Sequence, residues 1–197
     1  IYEACVRHGL PLMIHAGMEG AGIHSPTTGA GFVTHLAEWR AARIPAMMAH
    51  IASFIFDGTF EKYPDLRIVL NEAGGFWIAP YLWRLDVEWR SLRVQTPWVK
   101  KQPSDYFRKH FRVTTASLEP APDEDMFRLY MDGIFAGETL MFCSNAPYGE
   151  CGGQLASWRR LDGGLAERIL YGSAAEWYRF EAAAGAAARA DAGGSAV

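Results

Sequence analysis

Four short apolar runs, each closing on a polar residue, restrict the folds open to this chain more than any other feature. They are LPLMIH at 10–15, LRIVLN at 66–71, FRVTT at 111–115 and TLMFCS at 139–144. Such runs are too short for independent helices and rich in Leu, Ile, Val or Phe, which marks buried strands. The first follows Gly9 and the second follows Pro64-Asp65, both turn formers. Helical patterns separate them at 32–43, 46–57, 76–95, 123–133 and 165–171. In 76–95, Trp77, Tyr81, Leu85, Trp89 and Leu92 recur at spacings of four and three and draw one stripe, read as packing against a sheet. Pro80 falls in the first turn, where its missing N–H removes no helical bond. Ser173, with Glu176 at the third position, reads as a capping box for a last helix. Strand and helix therefore alternate, which predicts an α/β fold with a parallel sheet and right-handed crossovers.

Composition narrows the function classes. Half of the 197 residues are hydrophobic and 13% are aromatic, enough for one substantial core. One domain is expected over 1–180, followed by an Ala/Gly-rich tail at 181–197 expected to be disordered. A net charge of −3 provides no basic field for a nucleic acid. The longest charge-free apolar stretch, IPAMMAHIASFIF at 44–56, is shorter than the roughly 20 residues of a bilayer span, so no membrane contact is expected. The opening IYEACVRHG carries no visible secretory signal. Cys5, Cys143 and Cys151 are odd in number and lack CxxC spacing, which suits reduced thiols in a cytoplasmic protein. A small-molecule substrate is the partner this composition suggests.

The polar strand ends carry the functional signal. His15 ends the first run, Glu72 follows the second, Thr115 ends the third and Asn145 follows the fourth. In parallel α/β folds the carboxyl edge of the sheet is where ligands bind. His15 there is either a metal ligand or a histidine held by a backbone hydrogen bond. Glu72 is a base, a metal ligand or an anion favoured beside helix N–H groups. His50, on an apolar helical pattern, reads as a core histidine; His24 and His35 read as loop and helix surface, and His8 and His110 as ordinary helix residues. Arg84 and Arg112 are expected to be charge partners.

Several ordered blocks resemble one family. LPLMIHAG, IASFIFDGTFEKYPDLRIVLNEAGGFWIAPYLWRLDVEWR, SNAPYGE and RILYGSAAEWY are similar to the amidohydrolase-related (amidohydrolase 2) family that includes aminocarboxymuconate semialdehyde decarboxylase-like proteins. The likeness extends over roughly residues 1 to 180. It implies a (β/α)8 barrel with one divalent metal, usually zinc, at the carboxyl ends of the strands. It also implies hydrolysis, or non-oxidative decarboxylation, of a small and often aromatic carboxylic acid. On this resemblance His15 matches the metal-ligand histidine at the end of the fifth strand. Glu72 stands where the decarboxylases have a histidine, while a branch of similar proteins has Glu followed by Ala-Gly. Asn145 stands where the family has an aspartate that binds metal and transfers protons, and Tyr148 where the same motif has a histidine. Glu150 matches an acidic residue two positions later. Catalytic roles are thus expected of Asn145 and Glu72, metal binding of His15, and substrate contacts of Trp77, Tyr148 and Glu150.

Two departures accompany the likeness. Asn145 has a neutral amide in place of a carboxylate, and the family's first-strand His-x-His pair is absent. Four strands also make only half of an eight-stranded barrel, which typically needs about 250 residues. The expected architecture is therefore the C-terminal half of a TIM-like barrel. Its open edges are expected to be closed by a homo-oligomer or by an N-terminal half-barrel. Against the enzyme reading stands that of a truncated, non-catalytic member acting as a binding or assembly protein.

Overall fold

All four apolar runs form strands of one parallel sheet, in the order of the sequence. In this computed structural model, which describes residues 1–15, 33–147, 158 and 161–180, they are β1 (Leu12–His15), β2 (Ile68–Asn71), β3 (Phe111–Thr114) and β4 (Leu140–Met141). The sheet order is β1-β2-β3-β4, with Leu12 opposite Ile68, Ile68 opposite Phe111, and Val113 opposite Leu140. Sequential parallel strands joined by helical connections make an arc of a barrel. β4 is shorter than its apolar run because its flanks bond elsewhere. The Thr139 hydroxyl donates to the Ile134 carbonyl at 2.6 Å, and the Phe142 N–H donates to the Ile169 carbonyl at 2.9 Å.

The helices follow the apolar periodicity with local differences. α1 (Tyr2–His8) leads into β1 and stops at Gly9, whose φ of 62° is left-handed. The run at 32–57 divides into α2 (Leu36–Ala41) and α3 (Arg43–Phe56), followed by α4 (Thr59–Lys62). α3 begins at Arg43 rather than after Pro45, because a proline within the first turn costs no intrahelical bond. α5 (Ile78–Ser91) buries Ile78, Ala79, Leu82, Leu85 and Trp89, so the stripe lies slightly off the predicted one and Leu92 is exposed. Trp77 and Tyr81 stay at its margin because their polar tips are committed: the indole N–H donates to the Ala73 carbonyl at 2.9 Å and the phenol to the Met48 carbonyl at 2.7 Å. α6 (Pro103–His110) precedes β3, and α7 (Glu124–Gly133) starts where the Asp123 carboxylate accepts the Met126 N–H at 2.8 Å. α8 (Ala136–Thr139) leads into β4. After it come α9 (Gly163–Glu167), a π-helical turn (Arg168–Gly172) and α10 (Ser173–Tyr178). No helix among the described residues is long and apolar enough to cross a membrane. The tail at 181–197 lies outside the described residues.

The two faces of the sheet are covered differently. Ile68, Leu70, Phe111, Val113 and Leu140 join Met47, Ile51, Phe54, Leu82 and Phe107 in the main core beneath the helices. Val69 and Met141, with side chains on the opposite face, pack on Trp177 of α10. Arg112, opposite Val69 in register, places its guanidinium 3.8 Å from the Trp177 ring centre. Burial pushes its pKa down to about 10. The charge partner expected for Arg112 is replaced by this ring and by the carbonyls of Arg108 and Phe111, at 3.1 and 2.8 Å from Nη1. At β1 the same face stays open, and Met13, opposite Val69, is 48% exposed.

Three expectations are corrected. Ser173 caps nothing, because the chain reaches it already helical, with Gly172 at φ −59° and ψ −42°. Its hydroxyl is buried without a hydrogen-bond partner among the described residues, and Glu176 pairs with Arg168. His50 is exposed rather than in the core, since α3 turns Met47, Ile51, Phe54 and Ile55 inward. His110 is no ordinary helix residue: it is 3% exposed, stacks on Phe60 with ring centres 4.1 Å apart, and its Nδ1 lies 2.8 Å from the Leu66 carbonyl. Arg84 does pair with Glu88, at 3.1 Å on the surface.

Burial pushes the His110 pKa from 6.5 down to about 4. The unfolded chain therefore takes up this proton first as pH falls, so His110 supports the fold fully above about pH 6.5 and that support drains away towards pH 4. Urea midpoints should fall over this window for the natural chain and change less in His110→Gln. Equal slopes in both proteins would show that His110 does not carry the effect.

Candidate functional site

The carboxyl end of β2 is fastened to β3 before the chain reaches Glu72. The Thr114 hydroxyl donates to Asn71 Oδ1 at 2.8 Å and accepts the Glu72 N–H at 3.2 Å. Glu72 then adopts φ 52°, a left-handed conformation that costs a non-glycine residue on the order of 1–3 kcal/mol. Ser117 after β3 (φ 65°) and Asn145 after β4 (φ 55°) do the same. Three of the five described non-glycine residues with positive φ thus stand in the loops that leave three successive strands at one edge of the sheet. Backbone held in this way is concentrated where side chains must be aimed.

Beyond Glu72 the chain passes through Ala73, Gly74 and Gly75 into α5. Gly74 has φ 67°, and a Cβ there would lie 2.3 Å from Glu119 Oε1, so glycine is required on both counts. Glu119 Oε2 accepts the N–H groups of Gly75 and Phe76 at 2.9 and 3.1 Å, placing a carboxylate at the positive start of α5. On the next loop the Cys143 N–H donates to Thr115 Oγ1 at 3.0 Å, and the Thr115 hydroxyl donates to the Cys143 carbonyl at 3.3 Å. Thr115, marked in the sequence as a polar strand end, is accordingly a tie between loops.

These constraints form a cavity of about 620 Å³ lined by Arg40, Arg43, Ile44, Glu72, Ala73, Gly74, Ser117, Glu119 and Asn145. The Glu72 carboxylate reaches in two directions. Its Oε1 is 3.6 Å from His15 Nε2 and its Oε2 is 3.5 Å from Arg43 Nη1. His15 and Glu72 are therefore brought together directly, and Asn145 shares the cavity with Glu72. Trp77 is not among the cavity-lining residues; its indole N–H holds the carbonyl of Ala73, which is. Tyr148 and Glu150 lie outside the described residues, as do His24 and Cys151.

The donor set suits part of a divalent-metal site. His15 supplies an imidazole and Glu72 a carboxylate oxygen turned towards it, from the ends of neighbouring strands. Asn145 contributes at most a neutral amide oxygen. Among the described residues no group of three or more His, Cys, Asp or Glu side chains could hold a metal ion.

Arg40, Arg43, Ser117 and Glu119 were not singled out in the sequence. Arg43 sits at the junction of two predicted helices, where periodicity says nothing about direction. Glu119 had a readable signal: it is a carboxylate in the loop after a predicted strand, facing a Gly-Gly pair that opens a helix.

Comparison with known proteins places this geometry in context. The amidohydrolase family model matches residues 1–180. No curated protein matches the chain. A 5-carboxyvanillate decarboxylase from Sphingomonas paucimobilis is similar in structure, with a TM-score of 0.64, 22% identity, and coverage of 90% of this chain and 52% of that one. An amidohydrolase from Mycobacterium avium subsp. paratuberculosis K-10 gives a TM-score of 0.69 at 18% identity, over 90% of this chain and 44% of that one. A dihydroxybenzoic acid decarboxylase from Polaromonas sp. JS666, with bound manganese and the inhibitor 2-nitroresorcinol, gives 0.62 at 17%, over 90% and 52%. At these identities the likeness concerns the fold: four parallel strands with helices forming part of a TIM-like barrel. The chain spans about half the length of these solved structures.

The tie between β2 and β3 can be tested alone. Thr114→Val keeps the shape but leaves Asn71 Oδ1 and the Glu72 N–H without that hydroxyl, which should cost about 1–3 kcal/mol of unfolding free energy. Chemical denaturation reads this directly, and a loss below about 0.5 kcal/mol would show that water replaces the hydroxyl.

Proposed function

The chain belongs to the amidohydrolase family, and we propose that it forms the C-terminal half of a metal-dependent barrel enzyme that decarboxylates or hydrolyses a small aromatic carboxylic acid. The observation that carries this reading is the His15–Glu72 approach of 3.6 Å at the carboxyl edge of the sheet. It puts a nitrogen and an oxygen donor side by side where barrel enzymes hold their chemistry. Two structural relatives named as decarboxylases of aromatic acids, one with manganese bound, support the substrate class and a divalent ion. Zinc and manganese both accept such a donor pair.

His15 and Glu72 would hold the metal, with the Asn145 amide oxygen as a neutral third group. When bound, the ion supplies Lewis acidity towards a carboxylate or a water molecule. The chain's own residues do the rest. Arg43 restrains Glu72 Oε2 and so leaves Oε1 turned to His15. Glu72 is the ionisable acceptor placed to take a proton beside His15, while Asn145 can orient a ligand but takes no proton at neutral pH. By the family resemblance Tyr148 and Glu150 would contact the substrate; Trp77 supports the cavity through the Ala73 carbonyl. A second copy, or an N-terminal half-barrel, covers the open side of β1 and supplies the missing donors.

Metal analysis after exhaustive dialysis tests the reading. Bound manganese or zinc should be retained by the natural chain, lost in His15→Ala, and weakened in Glu72→Gln. Asn145→Asp adds an ionised oxygen and should raise metal affinity on the order of tenfold. Failure of every variant to retain metal, in the presence of its partner half as well as alone, would overturn the proposal.

A further inference from the structure

The cavity beside Glu72 holds a guanidinium whose hydrogen-bonding capacity is largely unspent. Arg43 is the first residue of α3, its side chain is 20% exposed, and Trp39 stacks 5.1 Å from its guanidinium carbon. Its one ion-pair contact among the described residues, Nη1 to Glu72 Oε2, is 3.5 Å long. That exceeds the ~2.7–2.9 Å of a charge-assisted hydrogen bond, so the fork is not closed on Glu72. Its Nε is buried with no hydrogen-bond partner among the described residues. A buried N–H of a cation left unmatched is costly, and the planar fork is shaped to take two oxygens of one carboxylate.

The other charges of the cavity sharpen the assignment. Glu119 already accepts two backbone amides through Oε2, and Glu72 faces both His15 and Arg43. Arg40, one turn before Arg43, lines the same cavity from an exposed position. Among the described residues Glu119 is closed on its amides while Arg43 is held only by the long Glu72 contact, so the guanidinium is the group of this cavity left with capacity for an anionic ligand. The cavity, about 620 Å³, lies within the ~300–1,000 Å³ usual for small-molecule pockets.

We propose that Arg43 is the specificity-determining residue of this cavity, gripping the carboxylate of a planar acid through the Nη groups of its guanidinium while Nε stays buried behind them, with Arg40 steering the anion at the mouth. The assignment rests on the substrate class proposed above, but it concerns binding rather than turnover. Trp39 packs against the guanidinium, and the Glu72 contact helps orient it towards the cavity.

Isothermal titration of the whole chain with 2,6-dihydroxybenzoate and with its neutral amide, 2,6-dihydroxybenzamide, tests this. The natural chain should prefer the acid. Arg43→Met should weaken the acid about tenfold to a hundredfold while moving the amide less than about twofold, and Arg43→Lys should recover part of the preference. Arg40→Met should cause a smaller loss that fades with added salt. An unchanged acid affinity in Arg43→Met, an equal loss for both ligands, or no acid preference in the natural chain would each overturn the assignment. Metal retention measured on the same samples separates the two proposals. Acid preference without retained metal removes the metal-enzyme reading and leaves Arg43 in place; retained metal without acid preference does the reverse.

Discussion

A single hydroxyl governs the geometry of the candidate site. Thr114 sits at the last position of β3 and bonds both to the side chain that ends β2 and to the amide that follows it. That double contact is one of the restraints that hold Glu72 in a left-handed turn, a conformation unfavourable for a glutamate on its own. With it, the chain reverses direction immediately after the sheet and the carboxylate is thrown back over the strand ends. Glu119 then fixes the far side of the turn by taking the amides of Gly75 and Phe76. The two interactions act on opposite ends of a four-residue loop, so the position of Glu72 follows from the sheet and from α5 together.

The same sheet explains why the chain resembles half of a larger body. One face is filled by helices in the usual manner of an α/β layer. The opposite face, which would be the interior of a closed barrel, is covered among the described residues where Trp177 lies across Val69, Met141 and Arg112. Burying an arginine here is tolerable because the indole face and two carbonyls replace part of its hydration. At β1 the cover stops, and both Met13 and His15 remain largely exposed. The candidate histidine thus stands beside the least covered part of the described structure, so any metal binding by it would depend on closure of the sheet.

Much of this was legible in the sequence, and the failures have physical reasons. Strands and their order were readable because short Ile/Val/Leu runs and amphipathic helices impose different periods. The gathering of His15, Glu72 and Asn145 at one edge followed from parallel topology, since every carboxyl end then lies on the same side. Ser173 misled because a capping signature is local, whereas continuity with the preceding π-helical turn is a tertiary outcome. His110 misled because its burial depends on Phe60, fifty residues away in the chain and 4.1 Å away in space. Arg43 was invisible for a related reason: a helix boundary can be placed in sequence only to within a few residues, and Arg43 fell at the junction of the two predicted helices, where no face could be assigned to it.

Asn145 shows how backbone and chemistry can require the same residue for separate reasons. At φ 55° the position favours Asn or Asp over other side chains, because a short polar group can stabilise a left-handed turn locally. The nearby Ser144 hydroxyl, accepting the Ala146 N–H at 3.3 Å, belongs to the same turn. A backbone preference of this kind favours, among residues with a side chain, the pair that differ by one ionisable oxygen. Exchange between them changes the charge presented to the cavity while leaving the loop its preferred conformation. The carboxamide found here is therefore compatible with the left-handed turn, and it lines the cavity with a neutral amide beside the charged Glu72, Arg40 and Arg43.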